Sequence, residues 1–280
     1  MIKIAVIGAG TMGNGIAHVF AQFRFKVQLI DLNISILENA LSNISKNFDR
    51  QVKKEILSVE DKMTALNNIT LKSDINAIDF DTDLVIEAIV EKKDAKLQLF
   101  NKLESLVNTN CIFASNTSAI SITELQTNNR PDKFIGLHFM NPVPVMKLVE
   151  IIKGYSTSEE TYNKIYDVVL KLKKEPVLVN DYPGFISNRV LMPMINEAIF
   201  ALYEGVSSAK DIDTVMKLGM NHPMGPLELA DFIGLDVCLD IMNVLFKGFD
   251  DFKYRPCPLL KKMVAAKKLG KKTGEGFYKY

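Results

Sequence analysis

The chain has 280 residues, about twice the usual domain length, which predicts two domains. Its 34 basic and 33 acidic residues leave a net charge of +1, which argues against nucleic acid or a membrane as partner, and no apolar run approaches a membrane-spanning length. Three cysteines without Cys-x-x-Cys spacing, Cys111, Cys238 and Cys257, predict reduced thiols rather than disulfides or a metal site.

The chain starts with a short apolar, β-branched run, Ile2 to Ile7, that predicts a buried strand. No positively charged leader or cleavage site precedes this strand, so we expect a cytoplasmic protein.

A glycine-rich turn, Gly-Ala-Gly-Thr-Met-Gly, follows the first strand and precedes an amphipathic helical stripe. In this context Gly8 permits the tight turn, Gly10 lets a pyrophosphate approach the backbone, and Gly13 allows the helix to pack closely on the strand. The pyrophosphate would lie on the helix N-terminus, at Thr11 and Met12. A merely structural turn is the alternative interpretation.

An acid lies at the distance that a dinucleotide site requires. A second strand, Val27 to Ile30, ends at Asp31, 18 residues after Gly13. Asp31 is placed to bind a ribose 2′-hydroxyl. It would repel a 2′-phosphate, and no arginine follows closely, so the sequence favours NAD over NADP.

A long helix is predicted next, because apolar residues recur at threes and fours from Ile34 to Ile56. Its exposed face carries a group of basic residues, Lys46, Arg50, Lys53 and Lys54. This face is either an ordinary solvated surface or a landing site for an anionic substrate tail. Ser58 and Asp61 have the spacing of a capping box, which predicts a short following helix.

Strands and helices alternate from there to about residue 180, which predicts an α/β fold with a mostly parallel, doubly wound sheet. The predicted strands are 69–72, 84–88, 111–114, 134–138, 148–152 and 176–180, and the predicted helices are 95–107 and 158–173. Ligands bind beyond the carboxyl ends of such strands. The polar residues at these ends are Glu87, Glu91, Ser115, Asn116, Thr117 and Ser118. Loop polarity would explain any one of them, but their joint position predicts that about half contact a ligand.

The best domain boundary is Tyr182-Pro183-Gly184, which divides the chain into residues 1–183 and 184–280. The second part is helical in pattern, with helices predicted at 186–202, 212–220 and 227–246. Its helices are apolar on more than one face, which predicts a homodimer formed through this domain.

Of three histidines, His138 is the best candidate for catalysis, because it ends a strand at the ligand-binding edge. His18 lies among apolar helix neighbours and is expected to be structural, and His222 lies in a Pro/Gly turn. Glu150 is the one charge in the next strand's apolar core, and a buried carboxylate needs a partner. We therefore expect Glu150 to pair with His138, with a plain surface glutamate as the alternative.

Longer motifs resemble the L-3-hydroxyacyl-CoA dehydrogenase family over essentially the whole chain. They are Ser-Asn-Thr-Ser at 115–118, His-Phe-Met-Asn-Pro at 138–142, Lys-Leu-Val-Glu at 147–150, the run at 183–189, Pro-Met-Gly-Pro at 223–226, and the tail at 270–278. The resemblance implies a Rossmann-type domain followed by an all-helical C-terminal domain. It is most similar in length to bacterial members that act on 3-hydroxybutyryl-CoA.

The resemblance also implies a reaction, the interconversion of (S)-3-hydroxybutyryl-CoA and acetoacetyl-CoA with NAD and without a metal. His138 would exchange the hydroxyl proton, Glu150 would orient the imidazole, and Ser118 and Asn188 would bind the reacting oxygen or the thioester carbonyl. Residues implied around the NAD are Asp31, Glu91, Lys96, Asn116, Ser118, Asn141 and Lys272. Lys54 aligns with a coenzyme A contact, Asn47 replaces the family's second contact, a serine, and Met140 replaces a phenylalanine.

Two other functions stay open at this stage. A 3-hydroxyacid dehydrogenase without coenzyme A would share the glycine turn, but such enzymes typically use a catalytic lysine instead of a His/Glu pair. A non-enzymatic NAD-binding scaffold would have no need of His138, Glu150, Ser118 and Asn188 together.

Overall fold

The computed structural model describes residues 2–280, and the chain divides into two compact units between Asp181 and Tyr182. The boundary predicted from sequence lies two residues further on, between Pro183 and Gly184. The first unit contains the sheet and the second is helical.

The first unit is built on eight strands and six helices among the residues described. The strands are β1 Lys3–Ile7, β2 Lys26–Ile30, β3 Ile69–Lys72, β4 Leu84–Glu87, β5 Ile112–Ser115, β6 Phe134–Phe139, β7 Leu148–Lys153 and β8 Glu175–Asn180. The helices are α1 Thr11–Gln22, α2 Ile34–Lys53, α3 Val59–Asn67, α4 Lys93–Leu103, α5 Ile122–Leu125 and α6 Glu159–Lys171.

One sheet takes all eight strands in the order β3-β2-β1-β4-β5-β6-β7-β8. Neighbours run parallel except β6 and β7, which are antiparallel, so the predicted doubly wound, mostly parallel sheet is confirmed. The central strands are buried on both faces and are apolar along their length; Ile4, Ala5 and Val6 of β1 are 0% exposed. The strand order reverses between β1 and β4, which makes their carboxyl ends the expected ligand site.

Local signals account for the starts of α2 and α3. The capping box predicted before α3 is confirmed, because Ser58 Oγ accepts from the Asp61 amide at 3.0 Å and donates to the Asp61 carboxylate at 2.7 Å. The Asn33 side chain likewise accepts from the Ser35 amide at the start of α2. His18 is buried between α1 and α2, 4.2 Å from Phe48 by ring centroids, as expected for a structural histidine.

The helical unit differs from its prediction in three places. It comprises α7 Ser187–Tyr203, α8 Ala209–Thr214, α9 Pro226–Ile233, α10 Leu235–Phe249 and α11 Pro258–Ala265. The prediction of a single helix at 227–246 is wrong, because Gly234 at φ +104° separates α9 from α10. The helix predicted at 212–220 is also interrupted, since α8 gives way to a π-helical turn, Val215–Gly219. The short helix α11 was not predicted.

Among residues 2–280, no helix is both long enough and apolar enough to span a membrane. The cysteines Cys111, Cys238 and Cys257 are buried free thiols, as their spacing predicts.

Candidate active site

The glycine turn between β1 and α1 is built from close backbone approaches. Gly8 has φ +96°, and a Cβ there would lie 2.5 Å from the carbonyl oxygen of Ala88. A Cβ at Gly13 would lie 1.7 Å from the carbonyl oxygen of Gly8, so neither position accepts a side chain. A Cβ at Gly10, by contrast, would meet no atom of the described chain within 4 Å. The turn therefore leaves open space where the helix begins.

The N-terminus of α1 can take an anion. Within residues 2–280 no side chain caps this helix, and its first turn, from Thr11, carries no acidic residue. The first amide groups and the helix dipole therefore point into the space beside Gly10. These features fit the pyrophosphate of a dinucleotide.

Asp31 is held in place at the carboxyl end of β2. Its Oδ2 accepts from the Ala9 amide at 2.9 Å and its Oδ1 accepts from the Asn33 amide at 3.0 Å. A cavity of about 380 Å³ adjoins it, with Ile30, Leu32 and Leu99 among its walls. An acid beside an apolar cavity fits the ribose and adenine of NAD, so the residues present accept the adenosine half of that cofactor.

His138 and Glu150 form the pair that the sequence predicts. They face each other across β6 and β7, and Nδ1 of His138 lies 2.7 Å from Oε2 of Glu150. Both residues are buried, at 9% and 2% exposure. Because a carboxylate can only accept, Nδ1 is the donor in this contact, and Nε2 is the ring nitrogen that does not face Glu150. A histidine oriented by a carboxylate in this way has the geometry that general base catalysis requires.

Ser118 is held in place by Glu91. Oε1 of Glu91 accepts from the Thr117 hydroxyl at 2.5 Å and from the Ser118 amide at 2.9 Å, with the Ser118 hydroxyl at 3.4 Å. Oε2 of Glu91 lies 3.1 Å from Nζ of Lys96. Burial raises the pKa of Glu91, but the Lys96 charge and the Thr117 hydrogen bond outweigh it and leave that pKa below its usual value.

Lys96 is completely buried, and its main partner is Glu87. Its Nζ lies 2.7 Å and 2.8 Å from the two carboxylate oxygens of Glu87, which is also completely buried. In this structure Lys96 therefore presents no surface of its own to a ligand, although the sequence resemblance places it beside NAD.

The end of β6 and the connection from β6 to β7 are each held by a polar side chain from elsewhere in the first unit. Oδ1 of Asn116 accepts from the Phe139 amide at 3.0 Å, next to His138. In the connection, the buried Lys174 donates to the carbonyl oxygens of Val143 and Met146, each at 2.6 Å. Sequence reasoning missed Lys174, because a Lys-Leu-Lys-Lys run looks like the solvated end of a helix.

Three basic residues on α2 or directly after it, Lys46, Arg50 and Lys54, line two neighbouring cavities of the first unit. A cavity of about 570 Å³ is lined by Asn47, Arg50, Gln51, Lys54, Pro142 and Val145, among others. A second, of about 270 Å³, includes Thr11, Lys46, Arg50 and the exposed Asn141. Basic side chains that border a cavity are better placed to bind an anionic ligand tail than basic side chains on a flat solvated face.

Two predicted site residues belong to the helical unit. Asn188 is buried near the start of α7. Lys272 lies in a 3₁₀ turn near the C-terminus, with Nζ 2.5 Å from Oδ1 of Asp236. Their roles toward substrate and cofactor remain predictions from the sequence.

The comparisons with known proteins agree along the whole chain. Family models for the 3-hydroxyacyl-CoA dehydrogenase NAD binding domain and C-terminal domain match residues 3–182 and 184–280. A 3-hydroxybutyryl-CoA dehydrogenase of Bradyrhizobium diazoefficiens is 52% identical over 279 residues, covering 99% of this chain and 95% of that protein. A probable 3-hydroxybutyryl-CoA dehydrogenase of Deinococcus radiodurans is 53% identical over 281 residues, covering 100% of both. The crystal structure of an (S)-3-hydroxybutyryl-CoA dehydrogenase from Ralstonia eutropha matches with a TM-score of 0.95 and 45% identity, covering 99% of this chain and 98% of that one.

Proposed function

The chain belongs to the 3-hydroxyacyl-CoA dehydrogenase family, and from that premise we propose that it interconverts (S)-3-hydroxybutyryl-CoA and acetoacetyl-CoA with NAD as hydride carrier. The observation that carries the proposal is the buried contact of 2.7 Å between Nδ1 of His138 and Oε2 of Glu150. The names of the Bradyrhizobium and Ralstonia proteins support the four-carbon substrate.

His138 handles the proton in this reaction. Its Nε2 takes the proton of the 3-hydroxyl during oxidation and returns it during reduction. Glu150 holds the ring through Nδ1 and stabilises the imidazolium that forms. NAD, when bound, supplies the nicotinamide ring that exchanges a hydride with C3 of the substrate.

Ser118 and Asn188 are assigned to the reacting oxygen or the thioester carbonyl, where negative charge develops. The fixed position of the Ser118 backbone supports the first assignment. Asn188 is assigned by resemblance alone. Residues assigned to the cofactor are Gly8, Gly10, Thr11, Met12, Gly13, Asp31, Glu91, Lys96, Asn116, Ser118, Asn141 and Lys272, with buried Lys96 acting through Glu91.

The preferred cofactor is NAD rather than NADP. Both carboxylate oxygens of Asp31 are held by backbone amides, so the charge cannot easily turn away from a 2′-phosphate. The coenzyme A part of the substrate is assigned to the cavity bordered by Arg50 and Lys54, where the cations attract its phosphates.

The protein is further proposed to be a homodimer formed through the helical unit and to act in the cytoplasm. Apolar side chains are exposed there, including Val190, Leu218 and Phe252 at 67%, 83% and 77%. The buried free thiols are consistent with a reducing compartment. Light scattering at micromolar concentration should give twice the 31.4 kDa of the chain, and the monomer mass would contradict the dimer.

A steady-state assay of NADH oxidation tests the function. We expect turnover with acetoacetyl-CoA, little turnover with free acetoacetate, and weaker turnover when NADPH replaces NADH. Equal rates on acetoacetyl-CoA and acetoacetate would favour an acid dehydrogenase that does not need coenzyme A. No NADH oxidation with acetoacetyl-CoA or longer 3-ketoacyl-CoA substrates would overturn the proposal.

A further inference from the structure

Glu87 is a buried carboxylate that the proposed reaction does not use. It ends β4, and its two oxygens lie 2.7 Å and 2.8 Å from Nζ of Lys96. The Ile89 amide donates to Oε1 at 2.7 Å, and the Ser115 hydroxyl donates to Oε2 at 2.5 Å. Every one of these partners can donate a hydrogen bond, which is the environment of an ionised carboxylate.

Glu87, Lys96 and Glu91 form one charged network. Lys96 lies between the two carboxylates, with Glu91 Oε2 at 3.1 Å. Burial leaves the pKa of Glu87 above its usual value, although the adjacent ammonium and the donated hydrogen bonds favour its charged form. The pKa of Glu91 is lowered. With all three groups ionised, the network carries one net negative charge.

The sheet topology places this network beside one half of the dinucleotide site. The pyrophosphate site at α1 lies between β1 and β4, where the strand order reverses. Asp31 ends β2, on one side of that point, and is assigned to the adenosine. The other half of the cofactor must then extend over the carboxyl ends of β4 and β5, toward His138. Those ends carry Glu87 and Ser115.

We propose that Glu87 is a positioning residue that sets the charge beneath the nicotinamide, so that the network favours the oxidised cofactor over the reduced one. The proposal rests on the NAD-dependent function proposed above. The nicotinamide ring is cationic in NAD⁺ and neutral in NADH, so a nearby negative charge stabilises only the oxidised form. Glu87 and Lys96 are completely buried, so solvent screens their charges weakly, whereas the Glu91 side chain is 38% exposed and is screened more strongly.

A purely structural role for Glu87 makes a different prediction. If Glu87 only compensated the charge of Lys96 and held α4 on the sheet, its loss would weaken binding of both cofactor forms to the same extent. The ratio of the two dissociation constants therefore separates an electrostatic role from a structural one.

The test is calorimetric titration of the full-length protein with NAD⁺ and with NADH. In Glu87→Gln the network becomes neutral, and we expect Kd for NAD⁺ divided by Kd for NADH to rise on the order of tenfold. The matched control is Glu104→Gln. Glu104 is also a little-exposed carboxylate, paired with Arg130 at 2.8 Å, but it follows the C-terminal end of α4, away from the carboxyl ends of the strands. In Glu104→Gln, Kd for NAD⁺ divided by Kd for NADH should equal the wild-type value.

The double variant Glu87→Gln/Lys96→Met removes both charges of the buried pair and restores a net charge of −1 through Glu91. The single variant leaves the buried charge of Lys96 without its main partner, which disfavours folding, whereas the double variant has no such charge. The inference therefore stays testable if the single variant does not fold. The ratio in the double variant should return to within about twofold of wild type even if both affinities fall. An unchanged ratio in Glu87→Gln, or a double variant whose ratio stays raised about tenfold, would overturn the inference. Either result with normal wild-type turnover on acetoacetyl-CoA would leave the proposed function intact.

Discussion

His138 and Glu150 are directly opposed residues of an antiparallel strand pair, and Nδ1 of the first lies 2.7 Å from Oε2 of the second. Directly opposed residues project from the same face of a sheet, so the backbone pairing of β6 and β7 sets the distance between the two side chains. The proposed proton-transfer pair is therefore built on rigid strands, and its geometry does not depend on the conformation of a loop.

Replacing Glu150 should affect turnover far more than cofactor binding. Glu150→Gln keeps a side chain of similar size but removes the charge that stabilises the imidazolium. We expect kcat for acetoacetyl-CoA reduction to fall about 10²- to 10⁴-fold, with Kd for NADH unchanged. Glu175→Gln, at the exposed start of β8, is the control and should behave as wild type. A kcat within threefold of wild type in Glu150→Gln would exclude the proposed role.

The basic residues beside the large cavity should determine affinity for the coenzyme A part of the substrate. In Arg50→Gln and in Lys54→Gln we expect KM for acetoacetyl-CoA to rise about tenfold with little change in kcat, because each loses a charge-assisted contact to phosphate. Lys53→Gln removes the same charge from the same helix at a residue that does not border that cavity. Equal KM changes in all three variants would mean that the helix acts only through its overall charge.

Lys174 anchors the β6–β7 connection through hydrogen bonds to two backbone carbonyl oxygens, and this anchoring should contribute to the stability of the fold. Lys174→Met leaves the carbonyl oxygens of Val143 and Met146 without their buried donor, and we expect the free energy of unfolding to fall by about 2 kcal/mol. Lys171→Met, at the exposed end of α6, should change it by less than about 0.5 kcal/mol. Urea unfolding measures both values, and equal small changes would show that the ammonium does not hold this segment.

His18 should make the free energy of unfolding depend on pH in the range between its pKa in the unfolded chain and its lower pKa in the folded chain. Burial lowers that pKa from 6.5 to about 4, so the unfolded chain binds a proton here that the folded chain does not. The free energy of unfolding should therefore fall as pH drops from about 6.5 toward 4, by about 3 kcal/mol in total from this residue.

The His18→Gln variant isolates this contribution. Glutamine does not titrate, so the variant should lose less stability than wild type between pH 7.5 and pH 4.5, measured by denaturant unfolding at each pH. Other titrating groups are common to both proteins and cancel in the comparison. The same loss in both proteins would show that His18 is not held neutral.

Much of this molecule could be predicted from local sequence, because the relevant signals are local. The turn from Gly8 to Gly13 needs glycine for reasons of backbone geometry, and the spacing to Asp31 follows from the length of one helix and one strand. The pairing of His138 with Glu150 could be predicted because a lone charge inside an apolar strand requires a nearby partner.

Other features depend on contacts that no local pattern records. Lys174 is buried by the β6–β7 connection, about 30 residues earlier in the chain, and a lysine run gives no sign of it. The break at Gly234 was missed because the apolar repeat continues from α9 into α10 across a single glycine. The Glu87–Lys96 pair joins a strand end to a helix, and its burial becomes visible only when the sheet is assembled.

The most direct test of the central claim is the turnover of His138→Gln on acetoacetyl-CoA with NADH, measured beside its affinity for NADH. Glutamine removes the titrating imidazole, whereas the cofactor assignments at Gly8 to Gly13 and at Asp31 are untouched. The proposed mechanism predicts a kcat about 10²- to 10⁴-fold below wild type with an unchanged Kd for NADH. A variant that binds NADH normally and turns over at the wild-type rate would contradict it.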